Sequence, residues 1–153
     1  MTKTSRRTFF SVTALGAAAA FAPTLLEAAA PTSAEQANIK VVTDFCAAWA
    51  GHDLNKVMAF FANDCAYRVS ETRDPIKGRD AVTATIKGFL DRVVRFEVLD
   101  TYAKGPMVFN ERIDHFTPGG QMPLKSWHGV GVFFLKEGKI VEWQDYTIST
   151  VRS

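Results

Sequence analysis

The sequence is poor in the residues that hold metals and disulfide frameworks. It has two cysteines, Cys46 and Cys65, and three histidines in 153 residues. The cysteines form no CxxC pair, and none of His52, His115 and His128 has a His or Cys at ligand spacing. A structural zinc site is not expected, and neither is a metal or any other cofactor. There is no Gly-rich phosphate loop and no GxSxG element, so neither nucleotide cradling nor a serine nucleophile on a strand–helix elbow is expected. There is no run of like charge and no basic stripe. The net charge of +2 includes basic residues of the N-terminal leader, leaving the rest near neutral and nucleic acid a poor partner. No internal repeat and no second domain are visible. No apolar run is convincing as a membrane span: the alanine-rich one near the N-terminus is broken by Pro23.

That run belongs to the most distinct local signal. SRRTFF, residues 5–10, precedes an apolar stretch through Leu26, the layout of a twin-arginine export signal. Residues 1–33 are read as this leader and 34–153 as one globular domain, periplasmic or secreted. In an oxidising compartment Cys46 and Cys65 could pair; two buried thiols are an equal alternative.

The domain is 47% hydrophobic by whole-chain composition, enough for a core. Ser33 with Gln36 has capping-box spacing, and Ile39, Val42, Phe45, Cys46 and Trp49 recur on one helical face. Asp53 can cap a short helix before a strand over NDCAYRVS, with Cys65, Tyr67 and Val69 on one side. A loop around Asp74-Pro75 leads to a helix with Val82, Ile86, Phe89 and Leu90 inward. Four strands follow, with hairpin loops at 117–123 and 136–139. Helices followed by antiparallel strands mean α+β, a curved sheet wrapped around the helices to form a cone with one apolar pocket.

NERIDHF, residues 110–116, breaks the pattern. Alternation sends Asn110, Arg112, Asp114 and Phe116 to one face. Arg112 and Asp114 on a strand also describe a solvated face. If the face is instead the inside of the cone, Asp145, which shares a face with Trp143 in EWQDY, joins them there. Two acids on one arginine in a dry site should split their pKa values, one raised and one held down, giving a proton donor beside a proton acceptor. Such a pair suits addition of water to a strained ring or a proton shift along a carbon skeleton.

NERIDHF, WHGVGVF and GKIVEWQDY together resemble the limonene-1,2-epoxide hydrolase family, within the nuclear transport factor 2-like (SnoaL-like) superfamily that includes ketosteroid isomerase. The resemblance runs from about residue 35 to 148. Its sharpest part is Arg112-x-Asp114 followed by Asp145 inside Trp-x-Asp-Tyr. It implies that Asp145 is the base that activates water, Asp114 the acid that protonates the epoxide oxygen, Arg112 the bridge, and Tyr67 a holder of the water. Trp143, Trp127 and Phe116 would line the pocket, and Gly129 and Gly131 would leave room for a small apolar epoxide. A homodimer through the open sheet face is also implied. The sequence departs from the family at Val69, where an asparagine is expected; a bulge could bring Ser70 inward in its place. Two other readings stay open: a non-catalytic binder of small apolar ligands, and a ketosteroid-isomerase-like enzyme. Against the last, WHGVGVFF offers no aspartate at its inward positions, and Asp74 is the only obvious substitute base.

Overall fold

A computed structural model describes residues 30–117 and 126–148. The twin-arginine stretch, most of the 117–123 loop and the last five residues lie outside them. Helix α1 runs Ser33–Ala48 and continues as a single 3₁₀ turn, Trp49–Gly51. Its cap is Thr32, one residue earlier than expected: the Thr32 hydroxyl accepts from Glu35 N, and the Glu35 carboxylate accepts from Thr32 N. Two overlapping capping boxes are possible in TSAEQ. The one with glutamate forms, and the second carboxylate oxygen of Glu35 also accepts from Gly105 N at 2.8 Å. Gly105 has φ of 58°, which glycine adopts without strain, in the turn between the next-named strands β3 and β4. This bond pins the start of α1 to the sheet.

Helix α2 is short, Leu54–Met58, and is capped by Asp53, which accepts from Asn55 N and Lys56 N. Strand β1 (Phe61–Arg68) and the two-residue strand β2 (Ile76–Lys77) precede α3 (Arg79–Leu90). Then come β3 (Val93–Lys104), β4 (Met107–Phe116), β5 (Ser126–Lys136) and β6 (Lys139–Thr147). The six strands make one sheet, ordered β2-β1-β6-β5-β4-β3, with β1 parallel to β6 and every other pair antiparallel. The expected α+β architecture is what is found. Register shifts in β3 and in the β1–β6 and β5–β6 pairings bend the sheet around the helices.

The apolar stripe of α1 fills the concave side. Phe45 lies at its centre, edge-on to Trp49, Phe60, Phe61, Phe133 and Trp143, with ring centroids 5.1–6.0 Å away. Arg79, at the start of α3, donates to the carbonyls of Met58, Phe61 and Ala62, tying α3 to the beginning of β1. Cys46 and Cys65 are both buried free thiols, so of the two alternatives the unpaired one is seen. Among the described residues no helix is long and apolar enough to cross a membrane.

Candidate active site

Alternation along β4 does what the sequence asked of it. Asn110, Arg112 and Asp114 point into the cone and are buried, while Glu111, Ile113 and His115 lie on the outer side. Phe116 follows the inward parity at the cavity edge. On β6 the same parity turns Trp143 and Asp145 inward, and on β1 Tyr67 stacks on Trp143 with centroids 4.0 Å apart. The antiparallel β4–β5–β6 pairing sets Gly131 between Asn110 and Asp145 in the ladder, so the acids come from strands separated by one intervening strand.

Arg112 joins them. Its Nε donates to Asp114 Oδ1 at 2.8 Å, and its Nη2 donates to Asp145 Oδ1 at 2.8 Å. Asp145 Oδ1 also accepts from Trp143 Nε1 at 2.7 Å, and Asp145 Oδ2 from the Tyr67 hydroxyl at 3.2 Å. Arg112 is wholly buried, Asp114 is 5% exposed and Asp145 4%. These values exclude the solvated face that an Arg-x-Asp strand could also have formed. The rings of Phe96, Trp127 and Trp143 surround the guanidinium carbon at 4.9, 5.6 and 5.5 Å. Its Nη1 has no hydrogen-bond partner among the described residues, and the ring faces stand in part for the water it has lost.

Burial raises both acids. The Asp114 carboxyl goes up to about 6, the loss of water outweighing the pull of Arg112. Asp145 is also raised by burial, against Arg112, Trp143 and Tyr67, which favour its anion. The expected split, one up and one down, is therefore not found. The asymmetry lies instead in the partners: Asp145 accepts from three residues, Asp114 from Arg112 alone. Asp145 is the better-held anion, and Asp114 the acid that takes a proton first. Burial drives the Tyr67 hydroxyl well above its ordinary value, so it stays a donor. The Cys46 thiol, pushed up to about 12 by burial, is no nucleophile at neutral pH.

A cavity of about 180 Å³ opens beside this cluster. Asp114, Asp145 and Tyr67 are in its wall, with Trp143, Trp127, Phe116 and Val69 among its apolar lining. It lies below the usual range for ligand pockets, about 300–1,000 Å³, so it suits a small molecule. Two expectations need correction. The Ser70 hydroxyl does not reach the cavity; it pairs with Thr72 Oγ1 at 3.2 Å, because β1 ends at Arg68 without the bulge that would turn it inward. Nor do Gly129 and Gly131 leave space for a ligand. A Cβ at Gly129 would fall 2.0 Å from the Trp127 ring, and one at Gly131 2.4 Å from Arg112 Nη1. The missing side chains make room for the indole and the guanidinium.

Trp49, Phe89, Val93 and Phe96 also line the cavity, beyond the site residues to which the sequence points. Trp49 and Phe89 were legible only as core positions on helical stripes. Phe96 pairs across the ladder with Asp114, but two register shifts in β3 hide its parity from the sequence. Among the described residues no group of His, Cys, Asp and Glu is arranged to hold a metal ion.

A family profile described as a SnoaL-like domain matches residues 42–143. Among solved structures, the chain is similar to an LEH-like epoxide hydrolase from M. tuberculosis. The identity is 26% and the TM-score 0.64, over 74% of this chain and 84% of that one. It is also similar to a candidate polyketide cyclase from Xanthomonas campestris pv. campestris: 21% identity and TM-score 0.63, over 76% and 93% of the two chains. A third is a candidate ketosteroid isomerase from Kribbella flavida, at 16% identity and TM-score 0.61, over 78% and 83%. At those two lower identities the likeness is one of fold.

Proposed function

Because the chain belongs to the SnoaL-like domain family, whose fold here holds two buried acids on one arginine in the wall of an apolar cavity, we propose that it is a hydrolase adding water to a small apolar epoxide. The observation that carries this reading is the Asp114–Arg112–Asp145 bridge. It puts a protonatable acid and a well-held carboxylate in the wall of one largely apolar cavity. The 26% likeness to an epoxide hydrolase supports it.

In this mechanism, water donates to Asp145 Oδ2 and to the Tyr67 oxygen, which keeps its own proton and points it at Asp145. Asp145 removes a proton as the water oxygen bonds to one epoxide carbon. That carbon's bond to the epoxide oxygen breaks, and Asp114 gives the oxygen its proton. Afterwards Asp145 loses and Asp114 regains one proton, and the net change is epoxide plus water to diol. No ester forms on the protein. In a single turnover in ¹⁸O-water the first diol should carry the label. An unlabelled first diol would point to an oxygen delivered from a carboxylate and overturn the one-step mechanism.

Asp114 must be protonated to act. Since its carboxyl lies at about 6, kcat/KM should fall tenfold per pH unit above that value. A pH–rate profile that stays flat from 6 to 9 (orders of magnitude in proton activity) would remove Asp114 from the acid role.

Val69 borders the cavity but cannot hold water. Val69→Asn should raise kcat by about 2- to 10-fold, the worth of one neutral hydrogen bond. Steady-state rates check it; no gain would mean that Tyr67 and Asp145 hold the water sufficiently.

A non-catalytic ligand binder remains the second reading, favoured by that same Val69, and the labelled-water experiment separates the two. Export through the twin-arginine leader and pairing into a homodimer belong to the proposal as well. Secretion of a leader fusion and the solution mass test them.

A further inference from the structure

The inward parity of β6 runs one step past the acid. Alternation puts Thr147 on the face of Trp143 and Asp145, and Thr147 stands opposite Gly129 in the β5–β6 ladder. Trp127, half-buried at the start of β5, folds its ring over that glycine. A Cβ on Gly129 would fall 2.0 Å from the Trp127 Cη2 and 2.4 Å from its Cζ2 and Cζ3. The ring reaches across the ladder, and its Nε1 donates to Thr147 Oγ1 at 3.2 Å, the one hydrogen bond of this indole among the described residues. Thr147 is itself fixed on both sides. Its backbone N donates to Glu71 Oε2 at 3.3 Å, and Ile148 N donates to the His128 carbonyl at 3.0 Å. The indole is thus a wall of the cavity, laid on a glycine and fastened at the solvent edge.

This arrangement gives the cavity two sizes. With the ring seated on Gly129 it holds about 180 Å³. With the ring swung away, the space above Gly129 opens, because the glycine brings no side chain to fill it. Asp114 and Asp145 stay on Arg112 in either state, through hydrogen bonds that the indole does not make. A compact molecule needs only the smaller space. A bulkier one needs the place of the ring and has to break its bond to Thr147, so its apparent affinity is lowered by the stability of the seated state. We propose that Thr147 is a positioning residue: by accepting from Trp127 Nε1 it holds the indole on Gly129 and limits the size of molecule that the cavity admits. The favoured substrate is then a compact epoxide, and a bulky one is handicapped by that one bond. The epoxide half rests on the function proposed above; the size limit does not.

The test compares cyclohexene oxide with trans-stilbene oxide in Thr147→Val. Valine keeps the branched shape and the backbone N–H to Glu71 but has no acceptor. The preference for the smaller epoxide in kcat/KM should fall by about 2- to 10-fold, expressed in KM, the worth of one neutral hydrogen bond. Thr147→Ser, which keeps the hydroxyl, should retain the wild-type preference. Trp127→Phe removes the donor, so adding Thr147→Val to it should change the preference no further. An unchanged preference in Thr147→Val, an equal fall in Thr147→Ser, or an undiminished effect of Thr147→Val beside Trp127→Phe overturns the proposal. Dissociation constants for cyclohexanol and 1,2-diphenylethanol, which carry no epoxide, are measured in the same variants. The same fall in their ratio with neither epoxide turned over keeps the role of Thr147 and removes the hydrolase. Turnover of both epoxides, with neither ratio moved by Thr147→Val, does the reverse.

Discussion

Replacing Asp145 by asparagine should reduce epoxide turnover by about 10²- to 10⁴-fold, the usual worth of a positioned general base. The fold should survive. Asparagine has nearly the same shape, and its carbonyl oxygen can still accept from Arg112 Nη2 and Trp143 Nε1, which both reach Asp145 Oδ1. The amide nitrogen would then face the Tyr67 hydroxyl. That hydroxyl can rotate to accept in place of donating, so neither group is left unpaired. Asparagine cannot take a proton from water, and no other carboxylate is placed to replace it. Asp114 is held on the other side of Arg112 and is needed as the acid. The measurement is kcat on a small epoxide for purified Asp145→Asn, with near-UV circular dichroism and urea unfolding beside the wild type. Near-wild-type turnover by a folded variant would end the two-acid mechanism. Loss of turnover together with loss of near-UV signal would show a structural role only.

The alternation around Asp114 could be read without the structure because β4 is a regular strand from Met107 to Phe116 with no internal bulge. Period two then fixes every side chain once one is known to be inside. The same rule placed Trp143, Asp145 and Tyr67. What it could not give was the neighbours contributed by irregular strands and by helices. Phe96 comes from a strand whose pairing slips twice. Trp49 is a core residue by its helical stripe, and only the fold shows that it also borders the cavity. The glycines show a different limit. Gly129 and Gly131 were correctly expected on the inward side, but what fills the space over them depends on how Trp127 and Arg112 fold across the sheet. The pKa values show a third. Spacing can bring two acids to one arginine, but whether the pair splits or rises together depends on how dry the site is, and here burial dominates for both.

Arg112→Met should give the largest loss of stability of any single change in the site. The guanidinium is wholly buried and bonded to both acids. Methionine fills much of the volume among Phe96, Trp127 and Trp143 but leaves two carboxylates facing each other without a counter-charge. Breaking a buried ion pair from one side costs about 3–5 kcal/mol, against a total stability of about 5–15 kcal/mol for an ordinary domain. The deficit should depend on pH in a definite direction. In the wild type Asp114 already lies at about 6, above the ordinary 3.8. An acid whose folded pKa is raised binds its proton more tightly when folded, so it favours folding at low pH and stability falls as pH rises through the interval. Without Arg112 the lowering influence is gone, both acids move further up, and the interval extends above 6. Urea unfolding of Arg112→Met should therefore show its greatest deficit near neutral pH and a shrinking one as pH falls towards 4 (roughly the ordinary Asp value). Adding Asp114→Asn and Asp145→Asn to Arg112→Met should recover much of the loss at neutral pH, since neutral amides need no counter-charge. A pH-independent deficit, unrelieved by the two amides, would mean that the arginine acts through packing among the three rings and not through the charges it joins.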